Sequence, residues 1–407
     1  MTSSPEYDLI ITGAGPAGLF LAASLPSSVK TLIIEKKRSP GLKLLISGSG
    51  RCNLTRIGTV DELLERYPSG RTFLKKALYS FTNKDLIEWF EKRGVEFIEE
   101  DSGKFFPEKG GASAILAALL SAVEEAGHTL MTGSPVVSIK KAKTGYTVET
   151  GAGRYKCRMA AISAGGASYP STGSSGDSYM LARGLGLTVN EQRPALVPVY
   201  VEDYPFAELA GISVKDSSIT LMRGRKTIRK SRGDILLTHK AFSGPGILNL
   251  SGYVMPGDRL KISMVGADAV YSVDRLISDG KGAAVRKALT PTGIPARLLN
   301  KVSELSGISS DARCASLNKK EKSLLTENIS AMDFHVKKAG SFKEAMVTAG
   351  GVDLREIRGQ SMEAKNLPGL YVTGEALDFY GETGGLNLQA CFSTAFAAAS
   401  DIKGKAL

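Results

Sequence analysis

Short apolar runs separated by glycine set the pattern of the opening stretch of this chain. Leu9–Thr12 is apolar and β-branched, Gly13-Ala14-Gly15-Pro16-Ala17-Gly18 follows, Leu19 to Ala23 is apolar without a break, and Thr31–Ile34 is a second β-branched run ending at Glu35. That order predicts strand, glycine turn, helix, strand and an acid at the strand end. Residues 36–55 are too broken by glycine and proline for a regular element. The spacing of Leu63, Leu64, Phe73, Leu74, Leu78, Leu86, Trp89 and Phe90 then predicts helix over 61–93, with Gly94 as terminator and Trp89 as core. Lys104-Phe105-Phe106-Pro107 reads as a turn, and Ser113–Ala126 as an alanine- and leucine-rich helix stopped by Gly127. Strands are expected near Thr129–Met131 and Val136–Lys140, followed by a meander of Tyr146–Glu149 and Arg154–Arg158. Met159–Ser163 resumes the sheet and runs into Ala164-Gly165-Gly166 and a small polar loop, with a helix beginning near Asp177.

The pattern changes around Arg193-Pro194. From Leu196 to about Ala345 the chain alternates β-like pieces with turns and becomes more helical over 274–328, which reads as an inserted second domain. Gly350-Gly351-Val352 marks the return, Leu370–Thr373 a short strand, and Gly384-Gly385 precedes a final apolar helix.

Glycines at 13, 15 and 18 between two strands have a specific chemistry. The first permits the tight turn, the second lets a pyrophosphate approach the backbone, and the third lets the helix pack closely on the strand. The helix amino end presents free N–H groups to the phosphates, and Glu35 is placed to accept hydrogen bonds from an adenosine ribose with a free 2′-hydroxyl. A dinucleotide site follows. The motif alone does not separate a flavin-adenine dinucleotide (FAD) from a nicotinamide one.

Composition narrows the class. At 407 residues, 43% hydrophobic and 23% charged, the chain is long enough for two or three domains and globular in character. The start offers no basic region or cleavage pattern, and no uninterrupted apolar run reaches membrane-spanning length, so a cytoplasmic location without membrane association is the default expectation. Cys52, Cys157, Cys314 and Cys391 form neither a CxxC pair nor a compact cluster, and with three histidines no metal site is expected. The net charge is +11 and the pI about 9.3. Its densest expression is Arg223-Gly-Arg225-Lys226-Thr-Ile-Arg229-Lys230-Ser-Arg232, which contains no acid. A solvated basic hairpin is the favoured reading over a nucleic-acid contact, since no aromatic residue is interleaved.

The carboxyl-terminal pattern favours FAD. A remote strand and helix returning to the amino-terminal site have a purpose if the ligand is long, and the helix after Gly384-Gly385 can bring its first N–H groups to a flavin ring. The loop carrying Lys43, Ser47, Gly48, Arg51, Cys52 and Asn53 can cover the pyrophosphate or flavin edge, although Cys52 by itself reads as a packed residue.

Six ordered motifs carry a resemblance across almost the whole chain: GAGPAG at 13–18, KLLISGSGRCN at 43–53, SAGGASYPSTGSSGDSY at 163–179, LLTHKAFSGP at 236–245, VTAGGVD at 347–353 and GLYVTGEALDFYGETGGLNLQ at 369–389. In these the chain resembles the bacterial BaiN/RdsA-type NAD(P)/FAD-dependent oxidoreductases, the HI0933-like flavoproteins. The resemblance implies an α/β fold: a Rossmann-like FAD-binding domain split over 1–192 and 345–407, with 193–344 inserted as a β-barrel-like substrate or partner domain carrying a small helical subdomain. It places Gly13, Gly15, Gly18, Glu35, Lys43, Arg51, Asn53, Gly165, Gly374, Glu375 and Asn387 around FAD. Their motif neighbours Pro16, Ala17, Lys36, Ser47, Gly48, Cys52, Ala164, Gly166, Gly384, Gly385 and Leu388, with Val136, complete the candidate cofactor set. Ser49 stands where the family commonly has a third consecutive glycine, and Leu386 where a tyrosine often follows the paired glycines. Members have been linked to amine oxidation and to reduction of conjugated steroid-like substrates, so substrate and direction stay open.

The function expected from the sequence is FAD-dependent oxidation or reduction of a small organic substrate by hydride transfer at flavin N5, with His239 and Tyr380 as candidates near substrate. Without a second GxGxxG in 150–300, a nicotinamide (NADH or NADPH) would meet the flavin transiently, or dioxygen would reoxidise it. Alternatives are a flavin-dependent nucleic-acid-modifying enzyme, motivated by the basic cluster, and a non-enzymatic flavin sensor whose inserted domain moves with redox state. Oligomeric state is not legible.

Overall fold

In the computed structural model, which describes residues 6–100 and 102–406, the chain forms two compact units. One is built from its two ends, up to Pro194 and from Met346, and the other from Ala195–Ala345.

The first unit is organised on a seven-stranded sheet. At its centre Tyr7–Thr12 (β1) runs parallel to Thr31–Ile34 (β2), with Ile10 opposite Leu32, and parallel to the second half of Gly153–Ile162, with Ile11 opposite Ala161. Thr129–Met131 extends the sheet beyond β2, and Leu370–Val372 joins Gly153–Ile162, both in parallel. Tyr146–Thr150 and Val136–Lys141 add an antiparallel meander. Every residue from Leu9 to Thr12 is buried, as a parallel strand covered on both faces requires. In Pro16–Ala23 (α1) residues 17–22 are likewise buried, and the helix shows no polar face. Leu386–Ala406 (α2) packs against it, and its Ala390, Ala395 and Ala398 are buried in the same core. Phe20 is ringed by Trp89 at 4.9 Å and by Phe81 and Phe392, each at 5.1 Å.

Several local expectations are revised. The helix read over 61–93 is three helices, Val60–Leu64, Arg71–Ser80 and Asn83–Glu91. Pro68 and Gly70 break the first gap, and Thr82 starts the third helix with a capping box to Asp85. Lys104–Pro107 is a strand, paired between Thr55–Arg56 (β3) and Phe97–Glu100. Arg154–Arg158 and Met159–Ile162 are one strand whose first half serves the meander and whose second half serves the parallel sheet. No turn-forming residue separates them. Residues 36–53 contain a short helix at Leu42–Leu45 and a 3₁₀ turn at Ser47–Gly50.

The second unit is a closed six-stranded antiparallel barrel. Ser213–Arg223 (β4) and Lys226–Leu237 (β5) form its long hairpin, Arg259–Gly266 (β6) pairs with β4, Met332–Ala339 (β7) pairs with β6, and Val199–Val201 and Phe242–Ser243 close the ring. Ile219, Leu221, Ile235, Leu237, Leu260 and Ile262 fill the interior, with Phe242 and Phe334 4.8 Å apart. Helices Val273–Asp279, Val285–Ala288, Ala296–Leu305 and Lys319–Ala331 share its core. The α/β class with a Rossmann-like sheet and a barrel insert carrying helices is therefore the fold adopted.

Candidate functional site

The glycine turn after β1 assigns a different task to each of its glycines. Gly13 has φ +100°, and a Cβ there would lie 2.6 Å from Ala164 Cα; its N–H donates to Ile34 O at 2.8 Å. At Gly18 a Cβ would fall 2.0 Å from Gly13 O. Neither position can carry a side chain while the turn stays closed. Gly15 is the opposite case: a Cβ would meet nothing within 4 Å, and the residue lines an open groove. Space beside Gly15, at the amino end of α1, is what a pyrophosphate needs.

That groove spans about 870 Å³ counted out to its open mouth. It is lined by Gly13, Gly15, Pro16, Ala17, Glu35, Lys36, Lys43, Val136, Ala164, Gly165 and Glu375 among the residues singled out from the sequence. Glu35 is fixed at the end of β2, where its carboxylate accepts from Ala14 N–H and Lys37 N–H, each at 2.8 Å. Two of its roughly four acceptor sites are so occupied, leaving capacity for a ribose. Lys36 is held by Asp177 at 2.7 Å and Ser175 at 2.6 Å on the opposite wall. Thr172, Gly173, Ser174 and Asp177 complete that wall, with Thr12, Ser39 and Cys391 elsewhere in the lining. The sequence reading singled out none of these as ligand contacts. Their signal was the polar loop after Gly165-Gly166, with Asp177 read as a helix cap.

A second set of bonds ties four separate segments together behind the groove. Lys43 reaches Glu375 at 2.6 Å and also bonds Ser168, while Glu375 accepts from Ser168 Oγ at 3.0 Å and from Thr348 N–H at 2.8 Å. Gly166 lies within this knot, where a Cβ would sit 2.5 Å from Thr348 Oγ1. Gly374 packs on α1, its Cβ position 2.9 Å from that of Ala17.

The loop of residues 47–53 divides its candidates. Arg51 turns away to Glu100 at 2.6 Å and stacks over Phe106 at 4.1 Å, and Ser47 bonds Leu44 O at 2.7 Å. Gly48 and Ser49 both take left-handed φ, 55° and 58°, so the serine at a commonly glycine position adopts a glycine-like backbone. Burial pushes the Cys52 thiol up to about 12, which excludes a thiolate at neutral pH. Asn53 is different: its Oδ1 is buried with no hydrogen-bond partner, an acceptor awaiting a donor.

At the start of α2, Gly384 and Gly385 have φ +108° and +84°. A Cβ on Gly385 would lie 2.6 Å from Thr55 Cα, so β3 and the helix start are in backbone contact. Gly384 faces Arg56, whose Nη1 is 3.2 Å from its Cβ position, and Lys104, whose Cε is at 4.0 Å. Burial, then the charge of Arg66, lower the Arg56 pKa against the opposing effect of Glu382. Sequence reasoning passed over both cations because Arg56 lies between the segments it read and Lys104 lies in one read as a turn. Asn387 clamps the preceding loop, accepting from Gly381 N–H at 2.8 Å and donating to Gly381 O at 2.9 Å. Leu388 packs on the core, and Tyr380 is buried with a backbone bridge to Ser69. His239 is exposed and belongs to the barrel unit.

An open glycine-lined groove, a carboxylate fixed at the end of β2, an orphaned buried acceptor and a diglycine helix start all lie within the first unit. These residues fit a dinucleotide. The HI0933-like protein Rossmann domain model matches residues 7–401. The chain belongs to the HI0933-like family. It is accordingly an enzyme of a flavoprotein oxidoreductase family. A ribosomal RNA dihydrouridine synthase of Escherichia coli K12 is 32% identical over 407 residues, covering 98% of each chain. A 3-dehydro-bile acid Δ(4,6)-reductase of Clostridium scindens is 27% identical, covering 95% of this chain and 97% of its own. Among solved structures, a 3-ketosteroid-Δ4-(5α)-dehydrogenase from Rhodococcus jostii RHA1 shares the fold with a TM-score of 0.51 at 14% identity, covering 98% of both chains. Among the described residues no helix is long and apolar enough to cross a membrane, and no group of His, Cys, Asp and Glu could hold a metal ion.

Proposed function

We propose that the protein is an FAD-dependent reductase of a carbon–carbon double bond conjugated to a carbonyl, with a uracil base of RNA as its substrate class. The observation that carries the reading is the union, in one unit, of the Gly15 groove with the Gly384-Gly385 start of α2, flanked by Arg56 and Lys104. Gly15 and the α1 amino end would hold the pyrophosphate, Glu35 the ribose, Asn53 Oδ1 a ring or ribityl donor, and the α2 start the flavin pyrimidine edge. When bound, FAD supplies hydride chemistry that no side chain can provide.

The relatives supply the substrate class. Making dihydrouridine saturates the C5–C6 bond of uracil beside its C4 carbonyl, and a Δ(4,6)-reductase acting on a 3-dehydro bile acid saturates a bond of the same electronic kind. In both, negative charge grows on the carbonyl oxygen as the double bond accepts hydride. A protein serving that chemistry needs a cation or N–H near that oxygen. Arg56 and Lys104 are charges of the right sign at the flavin end of the proposed site. RNA is favoured over a steroid by the higher identity to the synthase and by the net charge of +11. NADH or NADPH binding transiently is the proposed reductant.

The test is anaerobic. Protein carrying FAD is reduced with NADPH or NADH, freed of excess reductant and mixed separately with a uridine-containing ribosomal RNA transcript and with a 3-keto-Δ4,6-steroid. Reoxidation by the transcript, with a gain of two hydrogens on a uridine by mass spectrometry, is expected. Reoxidation by the steroid alone would replace RNA with a small enone, and reoxidation by neither would overturn the proposal.

A further inference from the structure

The basic run at 223–232 is not uniformly a solvated face, because the fold neutralises part of it and leaves part unpaired. Arg223 grips the buried carboxylate of Asp258 at 2.8 and 2.9 Å, Arg232 is bound by Asp216 and by Asp268 at 3.1 Å, and Arg259 is bound by Asp333. Those three arginines close the barrel surface. Arg225, Lys226 and Lys230 are exposed and Lys261 half-buried, and none of the four makes an ion pair among the described residues.

Strand register places Lys230 and Lys261 together. Lys230 on β5 lies opposite Thr220 on β4, Thr220 opposite Lys261 on β6, and Lys261 opposite Asp333 on β7, so the two lysines share one cross-strand row that ends at the carboxylate Arg259 holds. Its flanking residues on β4, Ile219 and Leu221, are buried in the barrel, so the row faces outward. Arg225 and Lys226 sit at the hairpin turn beyond it, where Gly224 takes φ +57°. The missing aromatic partner comes from outside the run: Tyr271 is 89% exposed and lies one turn after Asp268, the residue that bonds Arg232.

We infer that this outer ribbon of β4, β5 and β6, with Tyr271 at its margin, is a docking surface for single-stranded RNA. Unneutralised cations in rows fit a phosphate backbone, and an exposed ring offers an unstacked base a face to stack on. A duplex, with its bases already stacked, would use the cations but not the ring. The inference rests on the RNA reading of the substrate and adds where on the barrel that substrate is held.

Fluorescence anisotropy of a labelled uridine-rich single-stranded RNA tests it, with the holoenzyme titrated at several salt concentrations. The variant Arg225→Gln/Lys226→Gln/Lys230→Gln/Lys261→Gln is expected to bind at least about tenfold more weakly in low salt. Its log-affinity versus log-salt slope should be shallower by as much as about 3, at roughly 0.7 for each phosphate that is no longer neutralised. Tyr271→Ala should bind the single strand roughly five- to a hundredfold more weakly with the slope unchanged, and bind a DNA duplex like the parent. Unchanged RNA affinity and slope in the quadruple variant would overturn the surface. So would a loss confined to vesicles of phosphatidylglycerol. Flavin absorbance and its bleaching by NADPH are read on the same samples. Wild-type protein that is yellow and reducible while its RNA binding ignores these substitutions defeats the docking surface but not the reductase. Wild-type protein that binds RNA through these residues but holds no flavin defeats the reductase alone.

Discussion

Alanine at Gly15 separates ligand from scaffold more cleanly than any other single substitution in this chain. The residue sits at φ −84° and ψ −176°, which alanine adopts freely, and its added methyl would meet no protein atom within 4 Å. The unfolded chain loses freedom, worth about 0.4–1 kcal/mol in favour of the fold. Alanine is a poorer helix N-cap than glycine by a similar amount. The two nearly cancel, so the apoprotein should melt as the wild type does, to within about 0.5 kcal/mol. The methyl instead occupies the groove where a phosphate would meet the backbone. Displacing one charge-assisted hydrogen bond costs about 1.5–3 kcal/mol, or roughly a 10- to 150-fold rise in the FAD dissociation constant. Gly18→Ala is the control. Its methyl would lie 2.0 Å from Gly13 O, so the turn must open, and stability should fall by about 2 kcal/mol or more before any ligand is added. The assay is thermal melting of apoprotein together with FAD titration by fluorescence quenching. Gly15→Ala binding FAD as tightly as the wild type would refute the placement of the pyrophosphate. A Gly15→Ala apoprotein as destabilised as Gly18→Ala would refute the reading of the open groove.

Other substitutions and conditions probe separate parts of the account. Gly385→Ala adds left-handed strain of about 1–2 kcal/mol and a backbone clash of about 1–3 kcal/mol against Thr55, so it should lower stability and weaken FAD together; loss of one without the other would uncouple the α2 start from the site. Burial holds the thiols of Cys52 and Cys157 up at about 12, so iodoacetamide at pH 8 should leave both unmodified in the native protein and label them once guanidinium unfolds it. Burial alone would raise the Asp258 pKa, but hydrogen bonds from Arg223 and Met255 N–H and the Arg223 charge bring it below the ordinary aspartate value. The folded value being the lower one, Asp258 adds stability at neutral pH that disappears as pH falls through the carboxylate range. Asp258→Asn should therefore be less stable at pH 7 and flatter between about pH 5 and 3 than the wild type, and parallel acid melting curves for the two proteins would count against it.

What the sequence made legible follows from how local each signal is. The βαβ unit was readable because Leu9–Thr12, Gly13–Gly18 and Glu35 are contiguous and each element shows its own periodicity or glycine mark. The β-rich character of the insert was readable from alternating short runs, while its barrel form came only with the family resemblance, because closure depends on pairings such as that of Val199–Val201 with both Phe242–Ser243 and β7, which no local pattern displays. The continuous helix over 61–93 was an error of the same origin: helical spacing of apolar residues persists across Pro68 and Thr82, where the chain in fact restarts. Lys104–Pro107 looked like a turn because its strand character comes from partners on either side. At the site, the groove floor was visible, but the wall from Thr172 to Asp177 and the Arg56–Lys104 pair come together only in three dimensions. Arg51 reads as a phosphate donor by residue type, yet Glu100 and Phe106 draw its guanidinium to the surface.

In the proposed site both ends of the chain enclose one FAD. Purified protein, folded by circular dichroism and denatured to release whatever it carries, should yield FAD on chromatography in close to one equivalent per chain, or should regain the yellow spectrum when FAD is added back. A folded protein that releases no flavin and takes up none would overturn that site.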